Sequence, residues 1–365
     1  VRLVFFMAGT GISAWAIIIP FSKIRFHLDD GTLGLILLSP GMGGVLAMPF
    51  CGAAIAKFGS RAVLIASGIV FGVTLPLLSV APSIPLLTAL LFVYGFCFGG
   101  IDVAMNAQAA VVETQSGRLQ MSSFHALFSI GSLTIAVATS FLLRLGLTNA
   151  VCAALSGAVV FAILTQTPKL LPKAQDLPAT GPLIALPNRA TIILGICCFA
   201  CFLTEGAVTD WGTIFLRFSR GMTIYAAFFG YAAFSLAMVI SRLGGDHVAM
   251  RLGQVRVMRA GVALALAGLL LATCIPIGAV GIFGFFLVGL GIGNVAPLIF
   301  SAAARVPGMS ANLSVPAVVS LGYAGFLTGP VLIGLAAHQF GLATALTLDA
   351  ALLFAIFFLS EAVAA

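Results

Sequence analysis

The chain has 365 residues, 61% of them hydrophobic and 7% charged, with a net charge of +7 and a mean hydropathy of +1.20. Soluble domains carry about 25% charged residues, so this composition excludes a water-facing globule and makes lipid the expected solvent. The positive charge does not point to nucleic acid, because lysines and arginines stand singly between long apolar runs and form no basic face or stripe.

A spanning helix needs about 20 apolar residues. Breaks at Gly, Pro and charges divide the chain into twelve such stretches: 3–21, 32–57, 62–80, 85–112, 122–145, 149–164, 191–218, 223–248, 255–275, 277–305, 314–339 and 342–358. The first run continues directly into the protein, so no cleavable signal peptide is read. The seven cysteines fall inside apolar stretches. The Cys198–Cys201 pair of the Cys197, Cys198, Cys201 cluster has no His or carboxylate at ligand spacing in that turn, so helix packing rather than metal or redox chemistry is expected.

Between the sixth and seventh stretches Pro168, Pro172, Pro178, Pro182 and Pro187 alternate with Lys169, Lys173 and Asp176. Proline density and charge make this a linker. The domain plan is a six-helix bundle over 1–166, a cytoplasmic linker over 167–187 and a second six-helix bundle over 188–365. With alternate loops on opposite sides, one side collects Lys57, Arg61, Arg118, Lys169, Lys173, Arg189, Arg251, Arg256, Arg259 and Arg305. The positive-inside bias makes that side cytoplasmic, with both termini on it and the bacterial inner membrane as the location.

The two halves repeat a loop. After the second stretch the chain reads Gly52-Ala-Ala-Ile-Ala-Lys57-Phe-Gly59-Ser-Arg61, and after the eighth Asp246-His-Val-Ala-Met-Arg251-Leu-Gly253-Gln-Val-Arg256. Each places a basic residue two positions before a Gly and another soon after. Duplicated halves with a site near the bilayer midplane are a transporter's build.

Those loops resemble the signature of the major facilitator superfamily, Gly-x-x-x-Asp-Arg/Lys-x-Gly-x-Arg/Lys. Gly52, Lys57, Gly59 and Arg61 match it, with Ala56 at the Asp position. In the second copy Arg251 and Gly253 match, with Met250 at the Asp position and Asp246 at the first Gly. The resemblance implies an all-α membrane fold of twelve helices in two pseudo-symmetric bundles, and assigns these loop residues to gating. The string Asp102-Val-Ala-Met-Asn106, Glu113, Arg118-Leu119 and Phe124-His125 is similar to the fucose permease group. Closer still, the same string with Glu205-Gly206, Asp210-Trp211, Gly322-Tyr323 and Gly329-Pro330 resembles the MosC/YbjJ-like branch, which is associated by analogy with rhizopine, a cyclitol amine.

The polar residues inside the apolar runs are the functional candidates. A central Asp costs about 2.5–3.5 kcal/mol on insertion scales, so an intramembrane ionisable group is a site by default. Asp102, Asn106 and Glu113 share one helical stripe, and Asp102 lies about 16 Å from the Glu113 end, in the bilayer middle. It could take and release a proton as the site opens to each side in turn. Glu113 and Arg118 read as an interfacial pair or gate contact. Ser122, His125, Ser129 and Ser132 form a stripe on the next helix, with His125 expected to line the cavity.

On the seventh stretch Glu205 and Asp210 lie about 140° apart and share a cavity only if the helix breaks, which Gly206 and Gly212 would permit. Glu205 is expected to bind substrate or take a second proton, with Asp210 as a further substrate contact. Trp211 could stack on a sugar ring or anchor at the interface. Asn294, within the glycine-rich run 289–297, can donate and accept toward a hydroxylated substrate. Arg242 is expected to pair with helix-end carbonyls or Asp246 at the cytoplasmic end of its helix.

The expected activity is proton-coupled symport of a sugar, polyol or cyclitol-like solute by alternating access. It would run on the proton gradient without a cofactor, in a monomer whose partners are substrate, protons and lipid. Proton-driven efflux of amphipathic compounds is the alternative. An enzyme is not expected: the four histidines, His27, His125, His247 and His338, are far apart, and no metal cluster, HExxH, GxSxG or DxD occurs. A channel fits midplane acids and a duplicated plan less well than alternating access does.

Overall fold

The computed structural model describes residues 1–116, 120–170, 188–309 and 311–360. Twelve helices run through these residues: α1 (Arg2–Arg25), α2 (Asp30–Phe58), α3 (Ser60–Val80), α4 (Ile84–Ser116), α5 (Met121–Arg144), α6 (Asn149–Leu164), α7 (Arg189–Ser219), α8 (Ile224–Leu252), α9 (Gln254–Cys274), α10 (Gly278–Ala303), α11 (Ala311–Phe340) and α12 (Leu342–Leu359). Eleven are long and apolar enough to cross a membrane, and α6, with 16 residues, is shorter. Two are interrupted. α7 passes through π turns at Ala207–Trp211 and Phe215–Ser219, and α10 breaks between Ile292 and Val295.

Helix ends follow local chemistry. Asp29 caps α2 by accepting from Thr32 N at 2.9 Å, and Asn188 caps α7 by accepting from Thr191 N at 2.9 Å. α1 continues beyond its apolar run to Arg25, where basic groups suit a helix C-terminus. There Lys23 donates to the Leu28 carbonyl and pairs with Asp30 at 2.7 Å.

The chain divides into two compact units, Val1–Ala179 and Thr180–Ala365. Within the first, α1 packs on α5, α2 on α4, and α3 on both α4 and α6. Within the second, α7 packs on α11, α8 on α10, and α9 on both α10 and α12. The pairing scheme is therefore the same in each.

In lipid, helices gain nothing by hiding apolar surface from one another, so association rests on close contact, which small residues allow. A Cβ on Gly131 of α5 would run into the Phe6 carbonyl of α1, and one on Gly325 of α11 would run into the Phe199 carbonyl of α7. Gly95 of α4 lies on the Pro40 carbonyl, and Gly289 of α10 on the Phe234 carbonyl. The connecting loops repeat too. Gly59 joins α2 to α3 with φ 89° and ψ 153°, and Gly253 joins α8 to α9 with φ 86° and ψ 146°. Their N–H groups bond Ile55 O at 2.8 Å and Ala249 O at 2.9 Å. Only glycine takes that backbone without strain.

Candidate functional site

In the first unit the 102–106 stripe forms as expected. The Asn106 amide nitrogen donates to Asp102 Oδ1 at 3.1 Å and to the Asp102 carbonyl at 2.9 Å, and both side chains are half-buried. The i, i+4 spacing of α4 makes this contact and holds the amide on the carboxylate. Gln108, fully buried, donates to Ser60 Oγ at 2.6 Å, so it ties α4 to the start of α3. Glu113 Oε1 accepts from the Gln120 N–H at 3.0 Å and anchors the entry to α5, while Arg2 reaches Gln120 Oε1 at 3.4 Å. Arg118 and the side chains of Ser122 and Asp246 lie outside the described residues.

His125 is half-buried, its ring edge-on to Phe5 at 5.2 Å, and Phe5 stacks on Phe124 at 5.4 Å. Ser129 and Ser132 of its stripe do not line open space. Ser132 donates to Gly9 O at 3.1 Å, and its own carbonyl accepts from Ser13 Oγ at 2.9 Å. Ser129 is buried and donates to the His125 carbonyl at 3.3 Å. Around Ser129 and Ser132 that face is spent on α1, because Gly9 and Gly131 bring the two backbones too close for a cavity there.

In the second unit the Arg242 guanidinium of α8 pairs with Glu205 of α7, Nη2 to Oε1 3.4 Å, with side-chain exposures of 13% and 17%. Glu205 is a partner that the sequence reading did not name for Arg242, while the expected pairing with Asp246 falls on a side chain outside the described residues. The π turn at Ala207–Trp211 answers the 140° problem without a break. In a π turn residue i+5, not i+4, comes over residue i, so Asp210 is carried back toward the Glu205 side.

Asp210 is half-buried and has no hydrogen-bond or ion-pair partner among the described residues. The same extra residue turns Trp211 inward. Its ring is fully buried and its Nε1 lacks a partner among the described residues.

Asn294 sits at the break of α10, 5% exposed, with its amide filling the gap left by Gly245 of α8. Neither amide atom has a partner among the described residues. Gly245 lies one turn beyond Arg242, so Asn294 and the Glu205–Arg242 pair flank the same stretch of α8. An aromatic cluster that the sequence reading missed lies nearby on the chain: Phe202 is 4.8 Å from Phe326, 5.7 Å from Tyr323 and 6.3 Å from Phe300, ring centre to ring centre. Among thirty phenylalanines nothing local marks these three.

The loop residues are outward. Ala56, Lys57, Arg251 and Met250 are exposed, Met250 at 78%, and Lys57 lies 5.1 Å over the Phe58 ring. A Cβ on Gly52 would meet nothing within 4 Å, so steric need does not explain this glycine, whereas backbone conformation does explain Gly59 and Gly253. Arg61 is half-buried.

The sequence pattern of the Major Facilitator Superfamily matches residues 2–322. The chain belongs to that superfamily. It is a transporter-family member and a multi-pass membrane protein. It is 41% identical over 355 residues to an uncharacterised superfamily-type transporter of Yersinia pestis, covering 97% of this chain and 92% of that one. It is 32% identical over 342 residues to the membrane protein MosC of Rhizobium meliloti, covering 94% and 84%.

Among solved structures a point mutant of the nucleoside transporter NupG aligns with a TM-score of 0.79 at 13% identity, covering 99% of this chain and 98% of that one. A point mutant of the fucose:proton symporter FucP of E. coli aligns with a TM-score of 0.66 at 15% identity, covering 99% and 96%. These two likenesses show the fold, and the resemblance to the MosC-like branch read from the Asp102–Asn106 string is matched by the MosC relative.

Proposed function

We propose that the chain is a proton-coupled symporter of a small hydroxylated solute of the sugar, polyol or cyclitol kind. It works by alternating access as a monomer in the bacterial inner membrane, both termini cytoplasmic, its six-helix halves 1–166 and 188–365 joined by the linker 167–187. The observation that carries this reading is the Asp102–Asn106 pair: an ionisable group at mid-depth of a spanning helix, half-buried rather than sealed by packing, with an amide held against it. Asp102 binds the coupling proton.

Asn106 and His125 in the first unit, and Glu205, Asp210 and Asn294 in the second, supply hydrogen bonds to hydroxyl groups. The unpartnered amide of Asn294 and the unpaired carboxylate of Asp210 are groups that a polar solute would satisfy. The proton gradient is the energy source and no bound cofactor takes part. That one structural neighbour transports fucose with protons and another nucleosides supports a polar, ring-bearing substrate.

Proton-driven efflux of amphipathic compounds is the second reading, and the Phe202, Phe300, Tyr323, Phe326 cluster favours it, since a group of edge-on and tilted rings suits an apolar cargo. Uptake into proteoliposomes against a panel of sugars, polyols and inositol derivatives, with and without an imposed inward proton gradient, separates the two. Gradient-dependent accumulation of a panel member is the expected result. Expulsion of amphipathic dyes with no panel member moving would replace the first reading by the second.

A further inference from the structure

Asp349 takes no part in the site above. It lies near the middle of α12, 3% exposed, and faces α7. There Thr204 Oγ1 donates to its Oδ1 at 2.9 Å, and Thr204 is itself fully buried. The other carboxyl oxygen, Oδ2, is buried and has no partner among the described residues. This contact is not the habit of threonines in these helices. Thr209, Thr273, Thr328 and Thr347 each hand the hydroxyl to the carbonyl four residues back, whereas Thr204 reaches across to another helix.

A carboxylate spreads its charge over two oxygens and has room for about four donors. Here it would have one neutral hydroxyl and one bare oxygen inside a helix bundle, where an unmatched charge is expensive. The elements packed on α12 supply no cation in contact among the described residues. On α7, Glu205 follows Thr204 directly, but its carboxylate is turned to Arg242; Cys197, Cys198 and Cys201 are buried thiols, Asp210 lies a turn further, and Arg217 is bonded to the Met222 carbonyl. On α9, Arg256 and Arg259 occupy the first two turns, with Arg259 on Ser360 at the end of α12, and Cys274 closes the other end. On α11 the titratable groups are Tyr323 and His338. Thr204 is the partner Asp349 has among the described residues.

We propose that Asp349 is a second proton-binding site, separate from Asp102, with the proton held on Oδ2 while Thr204 occupies Oδ1. The ligand is the hydrogen ion itself. Its hydroxyl partner Thr204 directly precedes Glu205 on α7, so filling or emptying the site acts on the helix that carries Glu205 and the π turn.

The test is infrared difference spectroscopy on the whole protein reconstituted in lipid and titrated with hydrogen ion alone between about pH 4 and pH 10, a span that brackets carboxyl and histidine titration. The wild type is expected to show a carbonyl-stretch band of a protonated carboxyl group that appears and disappears with pH and shifts in heavy water. Asp349→Asn is expected to lose that band, while Asp102→Asn and Glu205→Gln keep it. Thr204→Val is expected to move it to higher frequency, because the hydroxyl contact is gone. If Asp349→Asn does not fold, the Thr204→Val shift alone decides. A spectrum unchanged in Thr204→Val, an unchanged spectrum in Asp349→Asn, or a band that stays constant across the whole range would each overturn the proposal.

Discussion

The two units share a frame and differ in chemistry. Gly59 and Gly253, Gly95 and Gly289, and Gly131 and Gly325 are each separated by 194 residues, and each pair meets the same kind of neighbour, a helix-joining turn or a facing backbone carbonyl. The same spacing relates the carbonyls that Arg25 and Arg220 cover, Leu78 and Ser79 in one unit, Ala272 and Thr273 in the other. The polar residues do not follow it. At that spacing Ala296 stands for Asp102, Phe300 for Asn106, Met48 for Arg242 and Gly100 for Asn294. Close helix approach and positive φ leave little choice of residue, so the frame is present twice, while each functional group is present once. The first unit carries an acid with an amide held against it, and the second carries an ion pair, a further acid and an amide without a partner among the described residues.

The frame is the place to break the comparison hardest. Gly131→Leu and Gly325→Leu each force side-chain atoms into a facing backbone, and overpacking of that kind costs about 3 kcal/mol or more. Both variants are expected to lose monodisperse protein in detergent, and a loss in only one would mean that the two contacts are not equivalent.

The chemistry comes next. Glu205→Gln leaves Arg242 facing a neutral group and is expected to lower stability by about 2 kcal/mol, less than the ~3–5 of fully buried pairs because both side chains keep some exposure. Adding Arg242→Met, the residue of the other unit, is expected to recover most of that loss in thermal unfolding. No recovery would show that Arg242 has a second role the pair does not explain. Arg25→Gln and Arg220→Gln each remove a charged donor from helix-end carbonyls near solvent and are expected to cost on the order of 1 kcal/mol, by similar amounts. Gly52→Ala meets open space and is expected to stay within about 0.5 kcal/mol of the wild type, in contrast to Gly59→Ala, which must hold a positive φ.

Much of the frame was legible in the sequence. Apolar runs of spanning length set the helices, so that the stretch 149–164 and α6 have the same limits, and the loop glycines stand out because a one-residue joint at positive φ tolerates little else. The Asp102–Asn106 contact was legible for a related reason: it lies within one helix, where spacing fixes the neighbour. The contacts between helices were not. Glu205 and Arg242 are 37 residues apart and Thr204 and Asp349 are 145 apart, and periodicity orders faces without saying which face meets which. The burial of Trp211 was not legible, because no residue signal announces a π turn, and one added residue rotates everything beyond it. What Ser129 and Ser132 of α5 face was not legible either, because a polar stripe looks alike whether it meets water or a facing backbone.

The most direct test of the account sets wild type beside Asp102→Asn in proteoliposomes, comparing accumulation under an inward proton gradient with exchange of labelled for unlabelled solute at equal pH. The account predicts that the variant keeps exchange and loses gradient-driven accumulation, because the substrate contacts remain while the proton site is gone. Accumulation that persists in Asp102→Asn at the wild-type level would contradict it and move the coupling proton away from Asp102.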